Sequence, residues 1–220
     1  MRNILIHATT TTTHYKKNNG FGSIEDFPVI NKNLIKNNFE SFRSSKYLKK
    51  KCIQVNTSGS TGAPFMILQN ASKRYRNTSD NLYFSSKSGY KIGQKLLYIK
   101  IWAEDFKPNI LSHLWWKNVN PQSVFKLEDK DIKHLLERLK KDSSQKSFIG
   151  YSSAFEKICR YLDTNKSQRI NINVESIITI SEELNEYTRK ALRKYFGYTP
   201  VSRYSNNENG IIAQEGFTKK

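Results

Sequence analysis

Apolar residues occur in this chain in two patterns, as short continuous runs and as stripes with helical spacing. The short runs are rich in β-branched and aromatic residues and are bounded by polar or glycine-containing segments, which predicts strands. They occupy residues 52–55, 65–68, 95–102, 148–149 and 176–180, with a further short strand at 200–201.

The helical stripes lie mainly between these runs. Residues 129–141 have apolar positions at the spacing i, i+3, i+4, i+7, which predicts an amphipathic helix with Asp129 as its N-cap. Ser153 and Glu156 have the spacing of a capping box and predict the start of another helix. Further helices are predicted from the cap Asn31, over residues 71–88, and from the cap Ser181 to Gly197.

Strands and helices alternate through most of the chain, and the links between them are short. This order predicts an α/β fold with a mostly parallel sheet and flanking helices. Ligands of such sheets bind beyond the carboxyl ends of the strands, where Gly150, Tyr151, Ile180 and Ser181 fall. We find no internal repeat.

The length and composition of the chain favour a globular protein. The chain has 220 residues, 37% of them hydrophobic and 12% aromatic, and its mean hydropathy is −0.68. This length is enough for a substantial core, and we treat residues 1–220 as a single domain. Cys52 and Cys159 form no recognisable framework, which favours a reduced, cytoplasmic compartment. No stretch is long and apolar enough to predict a membrane span.

The formal net charge of +18 has two interpretations. It is consistent with a surface that binds nucleic acid or another polyanion. However, the lysines are spread along the chain, and Asn and Ile are abundant as well, which favours a general compositional bias that also assists an anionic substrate. On the second interpretation, which we favour, nucleic acid is not the partner.

Between the first two predicted strands lies a polar loop without bulky side chains. Its sequence is Thr57, Ser58, Gly59, Ser60, Thr61, Gly62, Ala63, Pro64. Glycines permit close approach of a ligand to the backbone, and successive N–H groups with Ser and Thr hydroxyls form an anion-binding concavity. A polyphosphate would suit it, although most loops of this composition simply connect two strands. It is not a Walker A loop, because Ala63 and Pro64 follow Gly62.

This loop resembles the signature phosphate loop of the adenylate-forming (AMP-binding) superfamily. Many members have Lys after the proline, whereas this chain has Phe65, as in the branch of phenylacetate–CoA ligases and capsular-polysaccharide proteins. The segment with Pro28 and Lys32 resembles the region upstream of the loop in that branch. The segments around Gly150 and Tyr151 and around Thr179 and Ser181 resemble its substrate-side turn and a wall of its adenine pocket.

A second motif lies near the C-terminus: Tyr204, Ser205, Asn206, Asn207, Glu208. By itself it predicts a polar surface turn after a short strand. It is also similar to the second nucleotide motif of the superfamily, in which an aromatic residue is followed by a small residue, a variable one, Thr and Glu. Ser205 and Asn207 depart from this pattern, since Gly and Thr are usual there.

The resemblance implies a site for ATP and Mg²⁺. In it, the loop residues Thr57, Ser58, Gly59, Ser60, Thr61 and Gly62 bind the β- and γ-phosphates. Tyr204 stacks on adenine beside Ser181, Asn207 contacts the α-phosphate, and Glu208 holds the metal. The implied activity is ligase-type formation of an acyl-adenylate from an unidentified carboxylic acid, and the branch resemblance implies a role in biosynthesis of capsule or another cell-surface polysaccharide.

Superfamily members are about twice as long as this chain. The sequence therefore resembles the N-terminal half of such an enzyme, and we expect the C-terminal lid domain with its catalytic lysine to be absent. A separate chain that supplies this half is one expected partner. The rival hypothesis is a non-catalytic basic module that binds nucleic acid or another polyanion, and a third hypothesis is an inert remnant of such an enzyme.

Overall fold

A computed structural model of the protein describes residues 1–57, 65–102 and 118–216. The chain forms two compact units, Met1–Arg76 and Asn77–Lys220.

The first unit consists of short helices and one β-hairpin. Strands β1 (Ile53–Thr57) and β2 (Phe65–Gln69) are antiparallel, with Ile53 opposite Gln69 and Thr57 opposite Phe65. This confirms the two predicted strands, whereas the loop predicted between them lies outside the described residues. The helices are α1 (Arg2–Thr11), α2 (Lys32–Asn37) and α3 (Phe39–Phe42), with 3₁₀ turns at Lys16–Asn18, Ile24–Asp26 and Ser45–Tyr47.

The helix predicted from Asn31 is divided in two. Asn31 is its cap, as predicted, since its side chain accepts a hydrogen bond from the Leu34 N–H at 2.8 Å. At Asn38 the backbone leaves the helical conformation, with φ −126° and ψ 32°. Phe42 then stacks on His14 with the ring centroids 4.0 Å apart, so an aromatic contact positions the second piece.

Helix α4 (Ala71–Lys87) includes the boundary between the two units and agrees with the predicted helix. It ends before Gly89, whose φ of 92° is easy for glycine and strained for other residues.

The second unit contains a six-stranded sheet in the order β4-β3-β5-β6-β7-β8. The first five strands in this order are parallel, and β8 is antiparallel to β7. This confirms the predicted mostly parallel α/β fold. The strands are β3 (Lys95–Lys100), β4 (Val119–Ser123), β5 (Lys146–Tyr151), β6 (Val174–Ile180), β7 (Val201–Asn206) and β8 (Gly210–Gln214).

Helices α5 (Asp129–Lys141), α6 (Ser152–Thr164) and α7 (Glu186–Phe196) contribute to the main core. The four apolar residues of α5 that define its predicted stripe are all buried. They share one cluster with Phe148 of β5, Phe155 of α6 and Leu192 of α7. A smaller cluster, formed by Ile149, Ile178 and Ile180, lies on the opposite face of the sheet.

The side chains predicted to cap α5 and α6 were wrong. Helix α5 is capped by Glu128 in a capping box with Asp131, not by Asp129. The box predicted for Ser153 and Glu156 does not form, because the Glu156 carboxylate accepts hydrogen bonds from Asn185 and Arg160 instead. In both helices, side chains compete for the same backbone or carboxylate groups. The spacing of residues in the sequence does not reveal which side chain wins this competition.

Candidate functional site

The carboxyl ends of three adjacent parallel strands are aligned. Tyr151 of β5 is level with Ile180 of β6, and Ile180 is level with Arg203 of β7. The segments that follow, Ser181 and Tyr204 among them, therefore begin side by side at one edge of the sheet. This is the edge at which ligands of open α/β sheets bind.

Close packing keeps these strands together. A Cβ added at Gly150 would lie 2.7 Å from the Ile99 carbonyl oxygen, so only glycine lets β5 approach β3 this closely. Gly150 was predicted to belong to a substrate-side turn. It lies in β5 instead, and α6 begins directly after Tyr151.

The turn after β6 contains Ser181, whose φ of 70° is in the left-handed region. This conformation costs a residue with a Cβ about 1–2 kcal/mol. The next residue, Glu182, accepts a hydrogen bond from the Ser153 N–H at 2.7 Å, so its carboxylate satisfies the N-terminus of α6. The turn after β6 is thereby bound to the turn after β5.

Ser181 was also predicted to cap the following helix, and this was wrong. The cap of α7 is Asn185, whose side chain accepts a hydrogen bond from the Thr188 N–H at 2.8 Å. Ser181 does not cap a helix. It is exposed at the sheet edge.

The second motif lies in a β-hairpin that joins β7 and β8. Tyr204, Ser205 and Asn206 are in β7, and residues 207–209 form the turn. The side chain of Asn206 accepts a hydrogen bond from the Asn209 N–H at 2.7 Å. Tyr204 is 66% exposed, Asn207 is exposed, and Glu208 is half-buried. The motif that predicted a surface turn is thus half strand and half turn.

The register of this hairpin shifts between Tyr204 and Ser205, where β8 has one extra residue. Such bulges change the direction of neighbouring side chains and occur often beside active sites.

A buried arginine holds the hairpin on α4. Arg203 is 3% exposed, and its guanidinium donates to Gln214 Oε1 at 2.8 Å, Asn81 Oδ1 at 3.1 Å and Ser85 Oγ at 2.9 Å. All three acceptors are neutral, and burial lowers the pKa of Arg203 to about 10. Gln214 in turn donates to the Phe84 carbonyl at 2.8 Å.

Sequence reasoning missed the role of Arg203. The available signal was its position, a single arginine inside a strand directly before the motif tyrosine. Its partners on α4 are more than one hundred residues away in sequence, so its burial could not be predicted.

Aromatic residues surround the same edge on β3. Lys100 Nζ lies 4.3 Å from the centroid of the Trp102 ring and 5.0 Å from that of Tyr98, and burial lowers the pKa of Lys100. Burial also raises the pKa of the Tyr98 hydroxyl, and Tyr151 raises it further. The edge therefore combines cations with aromatic rings, which suits an anionic ligand with a planar group.

The predicted phosphate loop is largely outside the described residues. Thr57 is the last residue of β1, whereas Ser58, Gly59, Ser60, Thr61 and Gly62 fall in the segment 58–64, which is not described. Their role remains a prediction.

Among the described residues, no group of three or more His, Cys, Asp or Glu side chains is arranged to hold a metal ion. No helix among the same residues has the length and apolar character required to cross a bilayer.

Comparison with solved structures shows the fold. An open conformation of 2-hydroxyisobutyryl-CoA ligase, in complex with 2-HIB-AMP and CoA, is similar with a TM-score of 0.68 at 11% identity. The match covers 97% of this chain and 50% of that one. ATP-bound MatB from Rhodopseudomonas palustris has a TM-score of 0.50 at 12% identity, covering 76% of this chain and 31% of MatB. The chain thus has part of the fold of 2-hydroxyisobutyryl-CoA ligase, and this agrees with the fold that the resemblance implied.

Among curated proteins, the chain is similar to Protein CapK of Staphylococcus aureus. The two are 25% identical over 214 residues, which cover 91% of this chain and 46% of CapK. The chain therefore spans about half the length of this curated relative. No family model matches it.

Proposed function

We propose that this chain is the nucleotide-binding part of an ATP-dependent, carboxylate-activating ligase. The observation that carries the proposal is the position of the Tyr204 to Glu208 hairpin, beside the Ser181 turn at the carboxyl edge of the sheet. The ligases that share this fold include ones solved with ATP or an acyl-adenylate.

The described residues suit the roles that the resemblance implies. Tyr204 is mostly exposed and offers a ring face on which adenine can stack, with Ser181 nearby at the end of β6. Asn207 is in the following turn and provides an amide donor for an α-phosphate oxygen. The loop from Thr57 to Gly62 would bind the β- and γ-phosphates.

Glu208 fits a magnesium ligand. Mg²⁺ usually takes one or two carboxylates and completes its shell with phosphate oxygens and water, so it needs no cluster of protein ligands. A single half-buried carboxylate on a turn meets this requirement. When bound, Mg²⁺ would neutralise charge on the phosphate oxygens.

The proposed reaction joins a carboxylate oxygen to the α-phosphorus of ATP. The bond to the bridging oxygen breaks, pyrophosphate leaves, and an acyl-adenylate forms. Little proton transfer is needed, so the task of the protein is to position the reactants and stabilise charge. Lys100, Arg203 and the aromatic rings near them make the surroundings of the proposed reaction positively charged and partly desolvated.

We also propose that residues 1–220 form the N-terminal domain of such a ligase, with the other half supplied by further sequence or by a separate chain. On the branch resemblance, its acid belongs to capsule or cell-surface polysaccharide biosynthesis.

Isothermal titration with Mg-ATP tests the proposal. We expect heat of binding for the wild type and little for Glu208→Ala, while Glu137→Ala, which changes an exposed carboxylate on α5, should bind normally. Tyr204→Ala should bind about 5- to 160-fold more weakly, because stacking on a base contributes about 1–3 kcal/mol, and Tyr204→Phe should bind nearly as wild type. Absence of binding by the wild type, or unchanged heat in Glu208→Ala, would falsify the nucleotide site.

The rival function, polyanion binding without ATP, is favoured by one observation. Unit Met1–Arg76 has 13 basic and 3 acidic residues, a net charge of +10. Salt-sensitive binding of duplex DNA by a protein that gives no heat with Mg-ATP would support this rival.

A further inference from the structure

The positive charge of the first unit is concentrated at one end of its hairpin. Residues 41–79 contain eight Lys and Arg residues and no Asp or Glu. Lys49, Lys50 and Lys51 come just before β1, and Arg74 and Arg76 come just after β2. Because Ile53 is opposite Gln69, these two segments leave the hairpin at the same end, on strands about 5 Å apart.

We name these five cations, together with Leu48 and Tyr75, the basic patch. All five cations are exposed, and none forms an ion pair with another described residue. Their charge is therefore available to an external anion.

Two large apolar side chains lie among the cations. Leu48 is 50% exposed and directly precedes Lys49, whereas Tyr75 is 74% exposed between Arg74 and Arg76. Exposing both side chains to water is unfavourable unless something covers them. An aliphatic and an aromatic side chain among several cations is the composition of surfaces that bind the interface of an anionic bilayer.

We propose that the basic patch binds the surface of an anionic phospholipid membrane. The cations would lie among the lipid phosphates, Tyr75 at the level of the headgroups, and Leu48 at the border of the acyl chains. Nucleic acid is the less favoured partner, since the aliphatic Leu48 has no base to stack on and three adjacent lysines act as point charges without bidentate geometry. This proposal is independent of ATP binding, which involves none of these residues.

Co-sedimentation of the full chain with vesicles tests the proposal. We expect binding to vesicles of phosphatidylcholine mixed with phosphatidylglycerol, none to phosphatidylcholine alone, and a decrease as salt shortens the screening length. Replacing Lys49, Lys50 and Lys51 together by Gln should weaken binding about 100-fold, and replacing them by Arg should preserve it.

A matched variant separates the basic patch from net charge. Replacing Lys16, Lys17 and Lys36 together by Gln removes the same charge from exposed sites of the same unit, and we expect it to weaken binding less than tenfold. Leu48→Ser with Tyr75→Ser should weaken binding even at high salt, because that contribution is apolar. Circular dichroism checks that each variant is folded.

Three results would overturn the proposal. The first is equal loss in the two triple lysine variants. The second is equal binding to vesicles with and without phosphatidylglycerol, or to neither. The third is tighter binding of duplex DNA than of vesicles at the same salt, with dependence on Lys49, Lys50 and Lys51.

Discussion

Ser181 shows at the scale of one residue how the proposed site departs from relaxed geometry. Its φ of 70° is one that glycine adopts without strain, yet serine occupies it. Its backbone neighbour Glu182 is held by α6, so the surrounding structure maintains the conformation. Strain of this kind occurs most often at functional sites, which agrees with the proposed contact with the nucleotide.

Ser181→Gly should separate stability from function. Relief of strain offsets the greater flexibility of the unfolded chain, so the free energy of unfolding should be unchanged or higher by up to about 1 kcal/mol. Loss of the hydroxyl should weaken Mg-ATP binding. Thermal unfolding and calorimetry measure the two effects.

Lys166→Gly is the control, since Lys166 has a φ of 48° at the end of α6, away from the sheet edge. It should relieve similar strain without changing ATP affinity. A large loss of stability in Ser181→Gly would show instead that the hydroxyl has a structural role.

At the scale of elements, the hairpin β7–β8 depends on α4 for its position. Arg203 and Gln214 lie opposite each other on the two strands, and both donate hydrogen bonds to α4. The motif residues Tyr204 to Glu208 follow immediately, so displacement of this pair would displace the proposed site.

Arg203→Ala should therefore destabilise the protein by about 3 kcal/mol, because it removes three hydrogen bonds, leaves buried acceptors unpaired and opens a cavity. Arg203→Lys should cost less but cannot reach all three acceptors. Urea denaturation measures the free energy of unfolding, and Arg138→Ala, at an exposed site on α5, should change it by less than about 0.5 kcal/mol. If Arg203→Ala were equally mild, the contacts with α4 would not hold the hairpin.

A second link between elements joins α6 and α7 through one carboxylate. Asp163 accepts hydrogen bonds from Tyr187 at 2.6 Å, Lys194 at 2.9 Å and the Tyr195 hydroxyl. These donors hold the pKa of Asp163 well below its usual range. The folded state therefore binds this proton less readily than the unfolded state.

It follows that Asp163 stabilises the fold above its unfolded pKa of about 3.9 and that this contribution is lost as the pH falls toward the lower folded pKa. Asp163→Asn should be less stable at neutral pH and should lose less stability between about pH 4 and about pH 2. Unfolding curves at several pH values measure this, with Asp129→Asn on α5 as the control. Parallel pH profiles for wild type and Asp163→Asn would contradict the assignment.

At the scale of the whole molecule, the two units differ in how they are stabilised. The main core of the second unit has buried residues from β3, β5, β6 and three helices. In the described part of the first unit, the buried residues are Thr9, Phe65 and Gln69, and helices α2 and α3 bury none. Little apolar burial and a net charge of +10 both lower the stability expected for the first unit.

Hydrogen exchange should reveal this difference. The amides of β5 and β6 should exchange most slowly, because both strands are paired on two sides and largely buried. Those of α2 and α3 should exchange orders of magnitude faster. Mass spectrometry of peptic fragments measures both, and uniform protection across the two units would contradict this division of stability.

Much of the fold could be predicted because its signals are local. The stripe of α5, the run of β6 and the runs of β1 and β2 each involve residues close in sequence, and each prediction was confirmed. The length of β7 and the existence of β8 were missed, since polar residues such as Ser202 and Asn206 become strand only by pairing with a neighbour.

The sequence by itself determined the α/β class, the resemblance to adenylate-forming ligases and the residues proposed for the nucleotide, because periodicity and contiguous motifs are properties of neighbouring residues. Only the tertiary structure decided that Arg203 is buried on α4, that Glu182 and not a capping box satisfies α6, and that Asn185 and not Ser181 caps α7. Each of these outcomes depends on which groups from different parts of the chain meet and compete for the same hydrogen bonds, and local sequence does not contain that information.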